Sequence, residues 1–285
     1  MSNQRQLRRS KDFERKGRCG VNIIVCIKQV PETTEVRINP QTNTLMREGV
    51  KSIINPFDMY AIEEGVRLKE RFGGKVTILT MGPPQAESAL REAISLGADD
   101  AILLSDRAFA GSDTLATSYT LAGAIRKIRD YDLLICGKQA SDGDTAQVGP
   151  GIAAHLDIPQ VTYVKKIEEI KDKSPSGEKV IRVERMTEEG FEIIESPLPA
   201  LLTVVKEINA PRLPSLKGLI RSKQAKITHW THKDIEAGFE NLGLSGSPTQ
   251  VVKIFSPPPR ESSQMLSGSI EGLVEKLVRI IKKEI

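Results

Sequence analysis

Cysteine is scarce in this chain. The three residues, Cys19, Cys26 and Cys136, form no CxxC pair. The last two sit in or beside apolar runs, so they read as reduced thiols and neither a disulfide framework nor a metal site is expected. No apolar run approaches the roughly 20 residues that span a bilayer, and the N-terminus lacks the apolar centre of a secretory signal. A cytoplasmic protein without direct membrane insertion is expected. No GxGxxG follows a strand and no GxxxxGK[ST] occurs, which excludes a standard dinucleotide-binding Rossmann domain and a P-loop NTPase. His155, His229 and His232 lie far from any GxSxG elbow, and no carboxylates pair for acid–base work. No catalytic side chain is expected, and the histidines read as structural or surface residues.

Charge of one sign is also lacking once its position is considered. The net charge is +4, but residues 1–20 carry seven Lys/Arg and two Asp/Glu, so the rest of the chain sums to −1. A near-neutral body gives no electrostatic footprint for nucleic acid. The basic segment 1–20 reads as a disordered or spurious tail, since Asp12, Glu14 and the missing apolar stripe argue against a transit peptide.

From Val21 onward, short apolar runs alternate with amphipathic stretches: "VNIIVCIKQV", "PFDMYAIEEGVRLKERFG", "KVTILTMG", "PQAESALREAISLG", "AILLS", "TLATSYTLAGAIRKI", "DLLICG". Continuous strand-like runs separated by helices predict an α/β fold, a doubly wound and mostly parallel sheet covered on both faces. After about Val161, "VTYVKKIEEI", "EKVIRVERM" and "GFEIIESPLPALLTVV" predict antiparallel strands added at the sheet edge. Past Lys206 a Pro-rich basic connector leads to an extended C-terminal arm. The arm ends in "SIEGLVEKLVRIIKKEI", where Ile270, Leu273, Val274, Leu277, Val278 and Ile281 recur at helical spacing. The expected organisation is a tail at 1–20, an α/β domain at 21–205, and a connector with the C-terminal arm at 206–285.

The stretch "GKQASDGDTAQVGPG" is the most turn-prone in the middle of the chain. It reads either as a surface loop or as a phosphate cradle at a helix N-terminus. Gly137 permits close backbone approach, "SDGD" turns the chain, and Asp144 or Thr145 is the expected N-cap of the next helix. Such a terminus presents unpaired N–H groups and partial positive charge. Lys138 would add a full charge, and Gln139 and Gln147 could bond a ribose or base. Asp142 and Asp144 would repel a phosphate if both pointed inwards. A second loop, "INPFD", places Pro56 at a first helical position with Asn55 as its cap. In a third, "TMGPP", Gly82 lets the backbone approach a ligand.

"VCIKQV", "NPFDMYAIEEGVRLKE", "TMGP", "SLGADDAILL", "LLICGKQASDGDTAQVGP" and "PLPALLTVVKEINAPRLPSLKGLIRSK", in this order, resemble the β subunit of electron transfer flavoprotein from Val21 to about Lys226. The resemblance implies a heterodimer with an α subunit that carries an FAD. It also implies a second adenine nucleotide held here by Cys26, by Asn55, Pro56, Phe57 and Asp58, by Gly82, and by the span from Gly137 to Val148. That nucleotide is a structural AMP in many members and a second FAD, reduced by NADH, in electron-bifurcating ones. "SDGDTAQVGP" resembles the bifurcating type: Gly143 and the small Thr145 and Ala146 would leave room beside a pyrophosphate, so FAD is favoured over AMP. The resemblance further implies a dehydrogenase or quinone-reducing partner, with ferredoxin or flavodoxin as low-potential acceptor. Leu216 falls at the family's docking position. The bland alternatives are a leucine buried in a Pro-rich turn and, for the whole chain, a universal-stress-type nucleotide-binding protein.

Overall fold

The computed structural model describes residues 20–32, 52–173, 178–235, 237–252 and 265–284. The expectation for the basic tail therefore lies, Gly20 apart, outside the described residues. The chain divides into two units, one ending at Val252 and the other containing the C-terminal helix.

The first apolar run forms β1 (Ile23–Cys26) and β2 (Gln29–Pro31), and β2 pairs antiparallel with β3 (Ser52–Ile54), Gln29 opposite Ile54. Helices and strands then alternate: α1 (Pro56–Phe72), β4 (Val76–Met81), α2 (Glu87–Leu96), β5 (Asp100–Leu104), α3 (Thr114–Ile128), β6 (Leu133–Gly137) and α4 (Val148–Leu156). They are followed by β7 (Gln160–Lys173), β8 (Glu178–Thr187), β9 (Gly190–Pro197), β10 (Ala200–Val204), α5 (Leu216–Gln224) and β11 (Thr228–Trp230). The large sheet has the order β11-β5-β4-β1-β6-β10-β7-β8-β9. Pairing is parallel from β11 through β7, and β8 and β9 add antiparallel at one edge.

Successive strand residues serve opposite faces, which explains why the runs are apolar throughout. Ile23, Val25, Ile78, Leu133 and Ile135 pack with Ile62 and Val66 of α1 and Leu90 and Ile94 of α2. Ile24, Leu79, Leu104 and Leu134 face the other way, onto Leu121 and Ile125 of α3 and Ile152 of α4. Each such burial contributes roughly 1.5–3 kcal/mol. Helix α2 ends at Gly97, whose φ of 127° and position 2.9 Å (ideal Cβ) from Val66 Cγ1 leave no room for a side chain.

The expected edge strands differ from the expectation in one respect. "GFEIIESPLPALLTVV" is two strands: β9 lies antiparallel at the edge, whereas β10 inserts parallel between β6 and β7. All five residues of β10 are buried, and such a strand needs cover on both faces; most of β9 is exposed and tolerates an edge. The C-terminal helix, α6 (Ile270–Glu284), forms where the periodicity predicts it, with Ile270, Val274, Leu277, Val278 and Ile281 exposed.

Candidate functional site

Strand β1 is flanked by β4 on one side and β6 on the other, so the chain reverses its direction of winding across the sheet there. Loops leaving the carboxyl ends of such strands diverge and open a crevice. A cavity of about 360 Å³ occupies that place. Its walls come from the ends of β1 (Cys26), β4 (Met81) and β6 (Cys136, Gly137) and from the starts of α3 and α4.

The N-termini of α3 and α4 both reach this cavity, and they differ. Helix α3 is capped by its own Asp113, whose Oδ1 accepts from Leu115 N at 2.9 Å and Ala116 N at 3.1 Å. Helix α4 has no side-chain cap. The expected N-cap at Asp144 or Thr145 is corrected: α4 begins at Val148, with Gln147 at the cap position. The displaced residues are bent instead. Asp144 and Ala146 have φ of 53° and 54°, left-handed values that a residue with a Cβ adopts at a cost of about 1 kcal/mol or more. Ala146 is followed by right-handed Gln147 (φ −99°, ψ −25°). Alternation of hand turns successive N–H groups to one side and builds an anion-binding concavity continuous with the helix terminus.

The cradle is held from below. Asn55 does not cap α1 through its side chain. Its amide donates to Gln139 O at 2.8 Å and accepts from Ser141 N at 3.0 Å, pinning the loop after β6 to the start of α1. Asp58, 5% exposed, accepts from Lys28 N at 2.7 Å and Gly137 N at 3.2 Å. One carboxylate thereby ties the ends of β1 and β6 to α1. Burial raises its pKa to about 7 against the pull of those N–H groups. Above, Lys28 Nζ meets Asp142 Oδ1 at 2.5 Å, and Thr114 Oγ1 donates to Gln147 Oε1 at 2.8 Å. The thiols of Cys26 and Cys136 lie in register at the cavity floor. A hydrogen bond with Cys26, together with burial, pushes the Cys136 thiol well above the usual range, so it lines the cavity as a neutral group.

The matching family profile is that of the electron transfer flavoprotein domain, over residues 42–235. The chain is 54% identical to the electron transfer flavoprotein subunit beta of Thermoanaerobacterium thermosaccharolyticum, covering 90% of this chain and 96% of that protein. It is 51% identical to the protein FixA of Azotobacter vinelandii (86% and 88% covered) and 49% identical to the caffeyl-CoA reductase-Etf complex subunit CarD of Acetobacterium woodii (93% and 99%). The chain belongs to the electron transfer flavoprotein β-subunit family.

In this family member, Cys26, Asn55, Asp58, Gly137, Lys138 and Gln139 line one cavity together with Gly143, Thr145, Ala146, Gln147 and Val148. Five other residues expected at the site sit around the cavity rather than in its wall. Pro56 opens α1, Phe57 turns its ring to Lys138 with Nζ 5.8 Å from the centroid, and Gly82 follows β4. Asp142 is paired with Lys28, and Asp144 accepts from the Gln139 side chain. The aspartates that threatened to repel a phosphate are thus engaged with protein partners. Sequence reasoning missed Lys28 and the α3 contribution, Ser112, Asp113, Thr114 and Thr117. "GSDTLAT" carries the same turn-then-helix pattern as "SDGDTAQVG" and would have revealed it. Leu216, the expected docking residue, is the first residue of α5 and 76% exposed, so the buried-leucine reading is ruled out.

Proposed function

We propose that this chain, paired with an α subunit, holds an adenine nucleotide in the 360 Å³ cavity, FAD in preference to AMP, and serves an electron-bifurcating flavoprotein. The observation that carries the nucleotide reading is the uncapped N-terminus of α4 joined to the alternating-hand turn at Ala146 and Gln147. Val148 and Gly149 would offer N–H groups to the pyrophosphate, with Lys138 supplying positive charge. Close packing holds the terminus in place: an ideal Cβ on Gly149 would stand 2.7 Å from Thr203 Cγ2. Support for the dinucleotide comes from Gly143, around which an added Cβ meets nothing within 4 Å, and from similarity to a subunit named for a reductase–Etf complex. When bound, such a flavin supplies the redox chemistry, accepting two electrons from NADH and dividing them between a high- and a low-potential acceptor, the latter a ferredoxin or flavodoxin. The protein's own part is to bind, orient and shield. Acid-released nucleotides from the purified heterodimer, separated by HPLC, should show two FAD per dimer; one FAD and one AMP would keep the cradle and refute bifurcation.

The partner dehydrogenase or quinone-reducing enzyme would dock on the connector. Arg212 anchors it to α1, with Nε 2.8 Å from Glu63 Oε2 and Nη1 2.6 Å from Glu70 Oε1. Leu213 and Leu216 stand 89% and 76% exposed beside these charges. An apolar tip with a polar rim suits a transient interface. Leu216→Ala should slow electron transfer to the partner about tenfold in stopped-flow measurements and leave the flavin spectrum unchanged. Wild-type rates would exclude the docking role.

A further inference from the structure

We infer that Tyr163 is a positioning residue of the nucleotide site, one that acts through Lys138; the inference rests on the nucleotide reading above. Lys138 follows β6 and lines the cavity. Its Nζ lies 5.2 Å from the centroid of the Tyr163 ring and 5.8 Å from that of Phe57, so the ammonium lies over two aromatic faces. Among the described residues Lys138 has no carboxylate partner. The other cavity lysine is different: Lys28 is paired with Asp142 at 2.5 Å.

That difference has a physical meaning. A carboxylate would hold the ammonium but cancel its charge at the distance of a ligand. An aromatic face holds a cation through its quadrupole and leaves the net charge in place. A lysine kept in this way is ordered in advance and still available to an anion.

The backbone at Tyr163 is bent to make this arrangement. Its φ is 60°, a left-handed value that is an outlier for a bulky residue. The register between β10 and β7 shifts between Leu202 and Val204, and Tyr163 N donates to Thr203 Oγ1 at 3.2 Å rather than to the ladder. The ring consequently leaves the core: Tyr163 is 37% exposed, between the buried Val161 and Val164. Packing alone would favour a regular strand with the tyrosine inside, and strain of this kind persists where a site requires it.

The test uses the complex of this chain with its α subunit, freed of the nucleotide in this cavity and titrated calorimetrically with AMP, which shares the phosphate contact of either nucleotide. Tyr163→Asn removes the ring, and asparagine tolerates the left-handed backbone. It should weaken binding about five- to tenfold, whereas Tyr163→Phe should stay within about twofold of wild type. In a Lys138→Ala background, Tyr163→Asn should have no further effect, because its contribution passes through the lysine. Phe57→Leu should behave in the same non-additive way and carries the test if Tyr163→Asn fails to fold. Additive losses, unchanged affinity in Tyr163→Asn, or a Phe variant as weak as the Asn variant would each overturn the inference while leaving the nucleotide site standing. Absence of AMP binding by the wild-type complex would overturn the nucleotide reading itself.

Discussion

Gly137→Ala should cost the protein its nucleotide and about 3 kcal/mol or more of stability. The position has no room for one carbon: an ideal Cβ would stand 2.4 Å from Asp58 Oδ1, 2.7 Å from Phe57 C and 2.8 Å from Phe57 Cβ. All three neighbours belong to the start of α1, which is fixed by Pro56 and by Asn55, so the clash is with structure that cannot turn aside. Retreat of α1 would break the bond from Gly137 N to Asp58, loosen the Asn55 bridge to Gln139 and Ser141, and release the loop that carries the cradle. Loss of core packing and of a buried hydrogen bond add in the same direction. Urea unfolding and nucleotide content of the purified variant check this. A fully loaded variant of wild-type stability would mean that the tie between β6 and α1 is not what shapes the site.

The second large effect is on pH dependence. Asp58 titrates near 7 in the folded protein, against 3.8 when exposed, because burial disfavours its charge. The folded state therefore binds more protons than the unfolded state between about pH 4 and pH 7, and stability must fall as pH rises through that window. Asp58 alone contributes up to about 4 kcal/mol to the decline. Glu64, also raised by burial, acts in the same direction. Carboxylates that are held low, such as Glu70 and Glu87 by the hydrogen bonds of Arg212 and Arg91, act with the opposite sign and at lower pH, losing their contribution as pH falls below about 4.5. The nucleotide-free protein should accordingly unfold at lower urea concentration at pH 8 than at pH 5. Asp58→Asn should lose most of that slope. At pH 5 it should be less stable than the wild type by about 1–3 kcal/mol, since one of two N–H donors would face an amide NH₂ instead of an oxygen, and by pH 8 that difference should vanish or reverse, because the variant has no carboxylate to ionise. Equal midpoints for the wild type at pH 5 and pH 8 would show that the carboxylate is not buried in the way described.

The sequence alone determined the class of fold, because hydrophobic periodicity is local. A run such as Ile23–Cys26 is apolar at every residue, which only a strand covered on both faces requires, and α1 begins where Pro56 predicts. It also marked the span from Gly137 to Val148 as a loop leading into a helix, and α6 as an amphipathic helix. Other features depended on residues far apart in the chain. Asn55 looks like a helix cap, but its amide is taken by Gln139 and Ser141, brought to it by the adjacency of β1 and β6. The start of α4 falls two or three residues later than turn chemistry suggests, since Asp144 and Ala146 adopt left-handed backbone that composition does not announce. Tyr163 is a strand residue by propensity, yet its ring is exposed beside Lys138 where the register shifts between β10 and β7. Strand order made the difference in each case: it decides which loops meet at the ends of β1 and β6, and no local pattern encodes which distant hydrogen-bond donors and acceptors will find one another there.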